Sequence, residues 1–268
     1  MSTALQHAAN GDVRLAYEVH GEGEPLVLVH GLGYDRLGWG PLPVALARDF
    51  QVMLPDNRGV GDSDVPEGPY AVAQLAADAV AVLDAAGIAS AHVFGVSLGG
   101  YVAQELALSY PARVRRLVLC STSPGGPRAH PMPAAGLEAF GRFPTMEREA
   151  GLRLMVENSL GEHGVRERPE LVEEIYRYRL ERGPTLAGWQ SQAYAGATFD
   201  AYDRVGGISA STLVLHGGAD NVVDPRNGEL LAELIPGARL ETIDDRGHLM
   251  MWEEAEWVAA IVKEFLRS

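Results

Sequence analysis

Hydrophobic positions along the chain follow two rhythms in turn. Val13 to Val19 alternates as a strand and ends at the turn-rich Gly21-Glu-Gly-Glu-Pro25. Leu26 to Val29 is a continuous apolar run, the pattern of a strand buried on both faces. Gln51 to Leu54 reads as another short strand. From Tyr70 the spacing changes: Val72, Leu75, Ala76, Ala79, Leu83 and Ala86 recur at helical steps, and Gly87 closes the helix. His92–Val96, Arg116–Cys120, Thr212–His216 and Arg239–Ile243 read as further strands. Helices are predicted over Leu98–Ser109, near Asn227–Leu234 and over Glu253–Leu266. This alternation predicts an α/β fold, a mostly parallel sheet wrapped by helices.

Between Cys120 and Thr212 the rhythm is different. Pro124-Gly-Gly-Pro127 opens a stretch without a convincing strand, and helical patterns follow around Ala135–Phe140, Glu147–Asn158, Pro169–Arg182 and Leu186–Ala195. Residues 124–205 therefore read as a helical cap inserted into a core made of residues 1–123 and 206–268.

The candidate chemistry starts at Gly95-Val-Ser97-Leu-Gly99, between a buried-strand pattern and a helix pattern. A tight strand-to-helix turn needs small residues beside the serine, and it lifts the hydroxyl above the sheet. A serine hydroxyl needs a base to take its proton. His248 is the best placed of the eight histidines, in a loop between the last strand and the closing helix. His216 ends a strand and competes with it, although a bond to nearby backbone would account for that residue. The imidazole needs an acid to fix its tautomer. Asp220 follows the preceding strand by four residues; Asp224, just before Pro225, suits a helix start better. Ser97, Asp220 and His248 run nucleophile, acid, base, which is the chain order of α/β-hydrolase triads.

Gly95-Val-Ser-Leu-Gly-Gly100, His30-Gly-Leu-Gly33, Asp56-Asn-Arg-Gly-Val-Gly-Asp-Ser63, Gly217-Gly-Ala-Asp220 and Arg246-Gly-His248 together resemble the α/β-hydrolase superfamily. The likeness is greatest to its 3-oxoadipate enol-lactonases, small esterases and cofactor-free haloperoxidase-like perhydrolases. It implies an eight-stranded sheet with a helical cap, an oxyanion hole made by the Leu32 and Leu98 amides, and structural roles for His30, Asp56, Arg58 and Ser63. Serine at position 97 sets the chain apart from relatives with aspartate there, the haloalkane dehalogenases and epoxide hydrolases. The expected activity is hydrolysis of a small carboxylic ester or lactone through an acyl-enzyme, with no metal or organic cofactor. The same residues would also serve carbon–carbon bond hydrolysis or perhydrolysis. A ligand-binding, slow-turnover receptor is the non-enzyme alternative. Trp189 and Tyr194, in the last helical stretch of the insertion, are the candidate pocket-lining residues, with aromatic bodies and polar handles.

Charge narrows the partners. Twenty-two basic residues against 36 acidic ones give a net charge of −14, which disfavours a nucleic-acid surface. The insertion holds ten arginines and twelve carboxylates, net −2, so the remainder carries −12. A single cysteine, Cys120, cannot form an internal disulfide or a cysteine-rich metal site. The first ten residues have neither a basic segment nor an apolar one, and the Ala/Val-rich stretch from Tyr70 to Gly87 is broken by Gln74, Asp78 and Asp84. The expectation is a cytoplasmic protein without membrane contact. The pattern leaves the oligomeric state open, a homo-oligomer included.

Overall fold

The computed structural model describes residues 4–268. Eight strands form one sheet: β1 (Gln6–Asn10), β2 (Val13–His20), β3 (Glu24–Val29), β4 (Phe50–Pro55), β5 (Ala91–Val96), β6 (Val114–Cys120), β7 (Ser211–Gly217) and β8 (Arg239–Ile243). Their spatial order is β1-β2-β4-β3-β5-β6-β7-β8. β1 and β2 form an antiparallel hairpin that joins β4, and β3 to β8 run parallel.

The helices are α1 (Leu42–Leu46), α2 (Val72–Ala85), α3 (Leu98–Ser109), α4 (Ala134–Arg142), α5 (Arg148–Glu167), α6 (Pro169–Arg182), α7 (Leu186–Thr198), α8 (Arg226–Leu234), α9 (Met250–Glu253) and α10 (Ala255–Arg267). The two sheet faces divide the core by strand alternation. Val27, Val29 and Val93 pack with Leu75, Leu83 and Leu106 of α2 and α3. Leu26, Leu28 and Phe94 pack on the other face with Val258, Val262 and Leu266 of α10. In α10 the buried positions Ala255, Val258, Ala259, Val262, Phe265 and Leu266 make one apolar stripe.

Between β6 and β7 lie α4 to α7, as the helical periodicity predicts. α5 runs on past Asn158 and breaks at Gly161, whose φ of 69° and ψ of 174° are not helical. The closing helix expected from Glu253 begins at Ala255, and a short helix, α9, precedes it across Glu254 (φ −133°, ψ 46°).

The strand order positions the site. β4 lies on one side of β3 and β5 on the other, so the loops leaving β3 and β5 diverge and open a crevice at the carboxyl rim. The segment holding α4–α7 leaves the sheet after β6 on that same rim.

Candidate active site

Ser97 follows β5 directly, at φ 55° and ψ −122°, a conformation costly for a residue with a Cβ. Its surroundings hold it there. Its N–H donates to Cys120 O at 3.0 Å, and its carbonyl accepts from Thr122 Oγ1 and Gly100 N–H, both at 2.8 Å. The glycines of the motif are needed for close approach: a Cβ on Gly95 would collide with the Gly99 carbonyl, and one on Gly99 with the Val29 carbonyl. The start of α3 thereby sits hard against the end of β3, which brings the elbow beside the His30–Gly33 loop.

In that loop, burial pushes the His30 imidazole down to about 3, a bond to Gly38 only partly opposing it, so the ring is neutral. Gly31 N–H donates to His30 Nδ1 at 2.7 Å, which leaves the ring proton on Nε2, donated to Gly38 O at 2.8 Å. His30 thus braces the loop. A Cβ on Gly31 would lie 2.9 Å from Ser97 Cβ, so the loop backbone touches the serine. Among the described residues, neither Leu32 N–H nor Leu98 N–H has a hydrogen-bond acceptor. Leu98 opens α3, where the helix adds its partial positive charge.

Asp220 and His248 meet in a buried pair, with His248 Nδ1 and Asp220 Oδ2 2.8 Å apart. Asp220 Oδ1 accepts from Val222 and Val223 N–H at 2.8 and 2.9 Å, which fixes the carboxylate plane. Burial alone would raise its pKa; the facing His248 and His216 overcome this and hold it well below the usual carboxylate range. The loop carrying it is tied to the loop carrying His248 through Gly218 N–H to Ile243 O and Ala219 N–H to Arg246 O. His216 Nε2 lies 3.1 Å from Val223 O and 3.4 Å from Asp220 Oδ2, the same carboxylate oxygen that faces His248. Asp224 instead caps α8 and pairs with Arg226 at 2.6 Å. The Ser97 hydroxyl has no hydrogen-bond partner among the described residues, so it is not bonded to His248; such contacts commonly tighten only with substrate bound.

The aromatic candidates part company. The Trp189 ring lies over the loop, 3.0 Å from where a Cβ on Gly33 would stand. Tyr194 is 52% exposed, because it lies off the buried stripe Gly188, Gln192, Ala195 of α7. That stripe carries a residue the pattern analysis passed over. Gln192 is fully buried, accepts from Gly33 N–H at 2.9 Å and donates to Arg58 O at 2.8 Å. A polar residue at a core position of an amphipathic helix was the available signal.

Glu253 was missed as well. It is 5% exposed, and its Oε1 accepts from Gly247 N–H, next to His248, at 3.0 Å. Burial pushes its carboxyl up to about 7, against the opposing Gly247 bond and the Arg246 charge. Asp56, Arg58 and Ser63 form structural contacts: Asp56 accepts from Arg36 N–H, Arg58 pairs with Asp78 at 2.6 Å, and the Ser63 hydroxyl donates to Asp56 O. A cleft of about 550 Å³ between Tyr101, Ser123, His130 and Gly196 lies beside α3, lined by neither Ser97 nor His248. Among the described residues no group of three or more His, Cys, Asp or Glu could hold a metal ion, and no helix is long and apolar enough to cross a membrane.

The chain is similar to several hydrolases. A 2-hydroxy-6-oxononadienedioate/2-hydroxy-6-oxononatrienedioate hydrolase of Burkholderia vietnamiensis is 35% identical over 272 residues, 96% of this chain and 92% of that protein. A thermophilic esterase from Thermogutta terrifontis superposes with a TM-score of 0.83 at 30% identity, covering 100% of this chain and 98% of that one. An enol-lactonase from Burkholderia xenovorans gives a TM-score of 0.86 at 28% identity, covering 98% and 100%. The family model of the alpha/beta hydrolase fold matches residues 24–255, and the chain belongs to that family.

Proposed function

We propose that the protein is a serine hydrolase that cleaves a small carboxylic ester or lactone, with Ser97 as nucleophile, His248 as base and Asp220 as the acid that orients it. The observation that carries this reading is the 2.8 Å His248–Asp220 pair on the same rim as a serine held in an elbow beside two unpaired amides. Bonded to Asp220 through Nδ1, His248 keeps Nε2 free to accept a proton. His248 Nε2 takes the Ser97 proton as Oγ bonds to the substrate carbonyl carbon, whose π pair moves onto oxygen. The Leu32 and Leu98 N–H groups hold that oxyanion, each worth about 2.7–4 kcal/mol in related sites. Collapse breaks the carbon–oxygen bond, and the departing alkoxide takes the proton from His248. Water, deprotonated by His248, then attacks the acyl-enzyme and releases the acid and Ser97. Ionised Asp220 stabilises the imidazolium in both halves.

The Burkholderia vietnamiensis relative favours a second reading, carbon–carbon bond hydrolysis of a vinylogous diketone by the same residues. There the bond from the attacked carbonyl carbon breaks instead, and an enolate leaves and is protonated. A panel of p-nitrophenyl acetate and butyrate, an enol-lactone and a vinylogous diketone, run with the parent and Ser97→Ala, separates the two. We expect ester or lactone turnover that Ser97→Ala abolishes with the fold retained. Near-normal turnover by a folded Ser97→Ala protein would remove the nucleophile assignment. Faster turnover of the diketone than of every ester and lactone would select the second reading.

A further inference from the structure

Gly33, the residue after the Leu32 amide, is gripped at both backbone polar atoms by the helical segment between β6 and β7. Its N–H donates to Gln192 Oε1 of α7 at 2.9 Å, and its carbonyl accepts from Arg179 Nη1 of α6. A Cβ at Gly33 would stand 3.0 Å from Trp189 Cδ1 and 3.2 Å from Pro184 Cγ, so the start of α7 presses on the glycine itself. Neither gripping side chain is loose. Gln192 is fully buried and anchored at its other end on Arg58 O, 2.8 Å away. The Arg179 guanidinium lies 4.2 Å over the Tyr34 ring, which stacks on His30 with centroids 4.7 Å apart.

The backbone accounting of the loop shows what these contacts do. Gly31 N–H is bound by His30, and Gly33 N–H by Gln192. Leu32 N–H lies between two committed neighbours and has no acceptor among the described residues. A loop with Gly31 and Gly33 on either side of Leu32 is soft, and Gly33, at φ +71°, has a backbone that L side chains rarely adopt. Without outside restraint its peptide planes could turn, and an oxyanion donor acts only when it is aimed at the developing charge.

We propose that Gln192 and Arg179 are positioning residues that aim the Leu32 amide, so that the inserted helices complete the oxyanion hole as well as cover it. This rests on the serine-hydrolase reading above. A plain packing role for Gln192 would couple the helices to the core and affect stability. Positioning makes a different demand: loss of the grip weakens binding of the transition state more than binding of the substrate.

The experiment compares Gln192→Met, which keeps the length and removes both hydrogen bonds, with Arg179→Met and Arg179→Lys. Each is assayed for kcat and kcat/KM on p-nitrophenyl acetate, for inhibition by an alkyl trifluoromethyl ketone, and for melting temperature. The ketone's adduct with Ser97 places an oxyanion in the hole. A donor displaced by about an ångström costs on the order of 10²-fold. We expect kcat to fall about 10- to 100-fold in both Met variants, with the ketone's Ki weakened in proportion to kcat/KM. Arg179→Lys, which keeps a cationic donor for the Gly33 carbonyl, should recover most of the loss. If Gln192→Met does not fold, Arg179→Met and Arg179→Lys carry the test alone. Folded variants with parental kcat and Ki overturn the proposal, as does a loss of kcat/KM with Ki unchanged. Ser97→Ala runs in parallel: its turnover surviving would sink the serine-hydrolase reading, whereas an inactive Ser97→Ala beside unperturbed grip variants sinks this proposal alone.

Discussion

Replacing Glu253 by Gln should make the protein more stable, and the gain should grow with pH. Glu253 is 5% exposed, and burial moves its carboxyl from 4.5 up to about 7. Its Oε1 accepts from Gly247 N–H, while Oε2 faces Gly164 of α5. The charged groups around it are Arg246, Glu254 and Arg168, and the two arginines do not offset the cost of desolvation. Between pH 4.5 and about 7 the folded protein keeps a proton that the unfolded chain has already released. Unfolding free energy therefore declines as pH rises through this window, and the loss is complete above the folded-state value. A pKa step of one corresponds to about 1.4 kcal/mol, so the displacement from 4.5 to about 7 costs about 3.5 kcal/mol at most. Glutamine keeps an acceptor for Gly247 N–H and carries no charge at any pH. Urea denaturation of parent and Glu253→Gln at several values from about pH 5 to about pH 9 should show near-equal stability at the acid end. At the alkaline end the variant should be ahead by as much as about 3.5 kcal/mol. Parallel stability curves across that range would refute the argument that a buried carboxylate is being forced to ionise.

Three further outcomes follow from the site and its support. Ser97→Gly should be inactive yet more stable by about 1 kcal/mol, since glycine removes the strain at φ 55°; a denaturation midpoint at or below the parent's would contradict that strain. Asp220→Asn should lower kcat/KM about 10⁴-fold, whereas Asp224→Asn, which alters only the cap and the Arg226 pair, should leave it near the parent value. The reverse pattern would exchange the two aspartates. Asp78→Ala leaves the Arg58 guanidinium buried without its partner and should cost about 3–5 kcal/mol in chemical denaturation; a change below about 1 kcal/mol would class the pair with weak surface ion pairs.

The parts legible in the sequence were those that a local pattern encodes. The buried central strands β3 and β5 have continuous apolar runs, and the elbow carries its small residues within five positions, so both are readable from one window. β1 was not, because Gln6-His-Ala-Ala-Asn10 is a mostly exposed edge strand with only Ala8 buried, too little for an apolar pattern. Periodicity tells which residues are buried but not which strand lies beside which, so the placement of β4 and β5 on opposite sides of β3 needed coordinates or a family likeness. The same holds for the site. Ser97, Asp220 and His248 stand in recognisable local settings, whereas the Gly33–Gln192 bond joins positions 159 residues apart. Tyr194 shows the converse: its aromatic character suggested a lining role, and its angular position on α7 sends it to solvent.

The inserted helices also impose an order in time. Leu32, Ser97 and Leu98 emerge from a ribosome before Arg179 and Gln192, and Asp220 and His248 follow those. At synthesis rates of about 5–20 residues per second, the roughly 150 residues between Leu98 and His248 take on the order of 10–30 s. On the proposed assignment, a nascent chain carries its serine and both amides through that interval without its base, and without its acid until Asp220 is made. It is chemically silent, and any fragment ending before β8 stays so. On that assignment, hydrolytic competence arrives only once His248 has been made and meets Asp220.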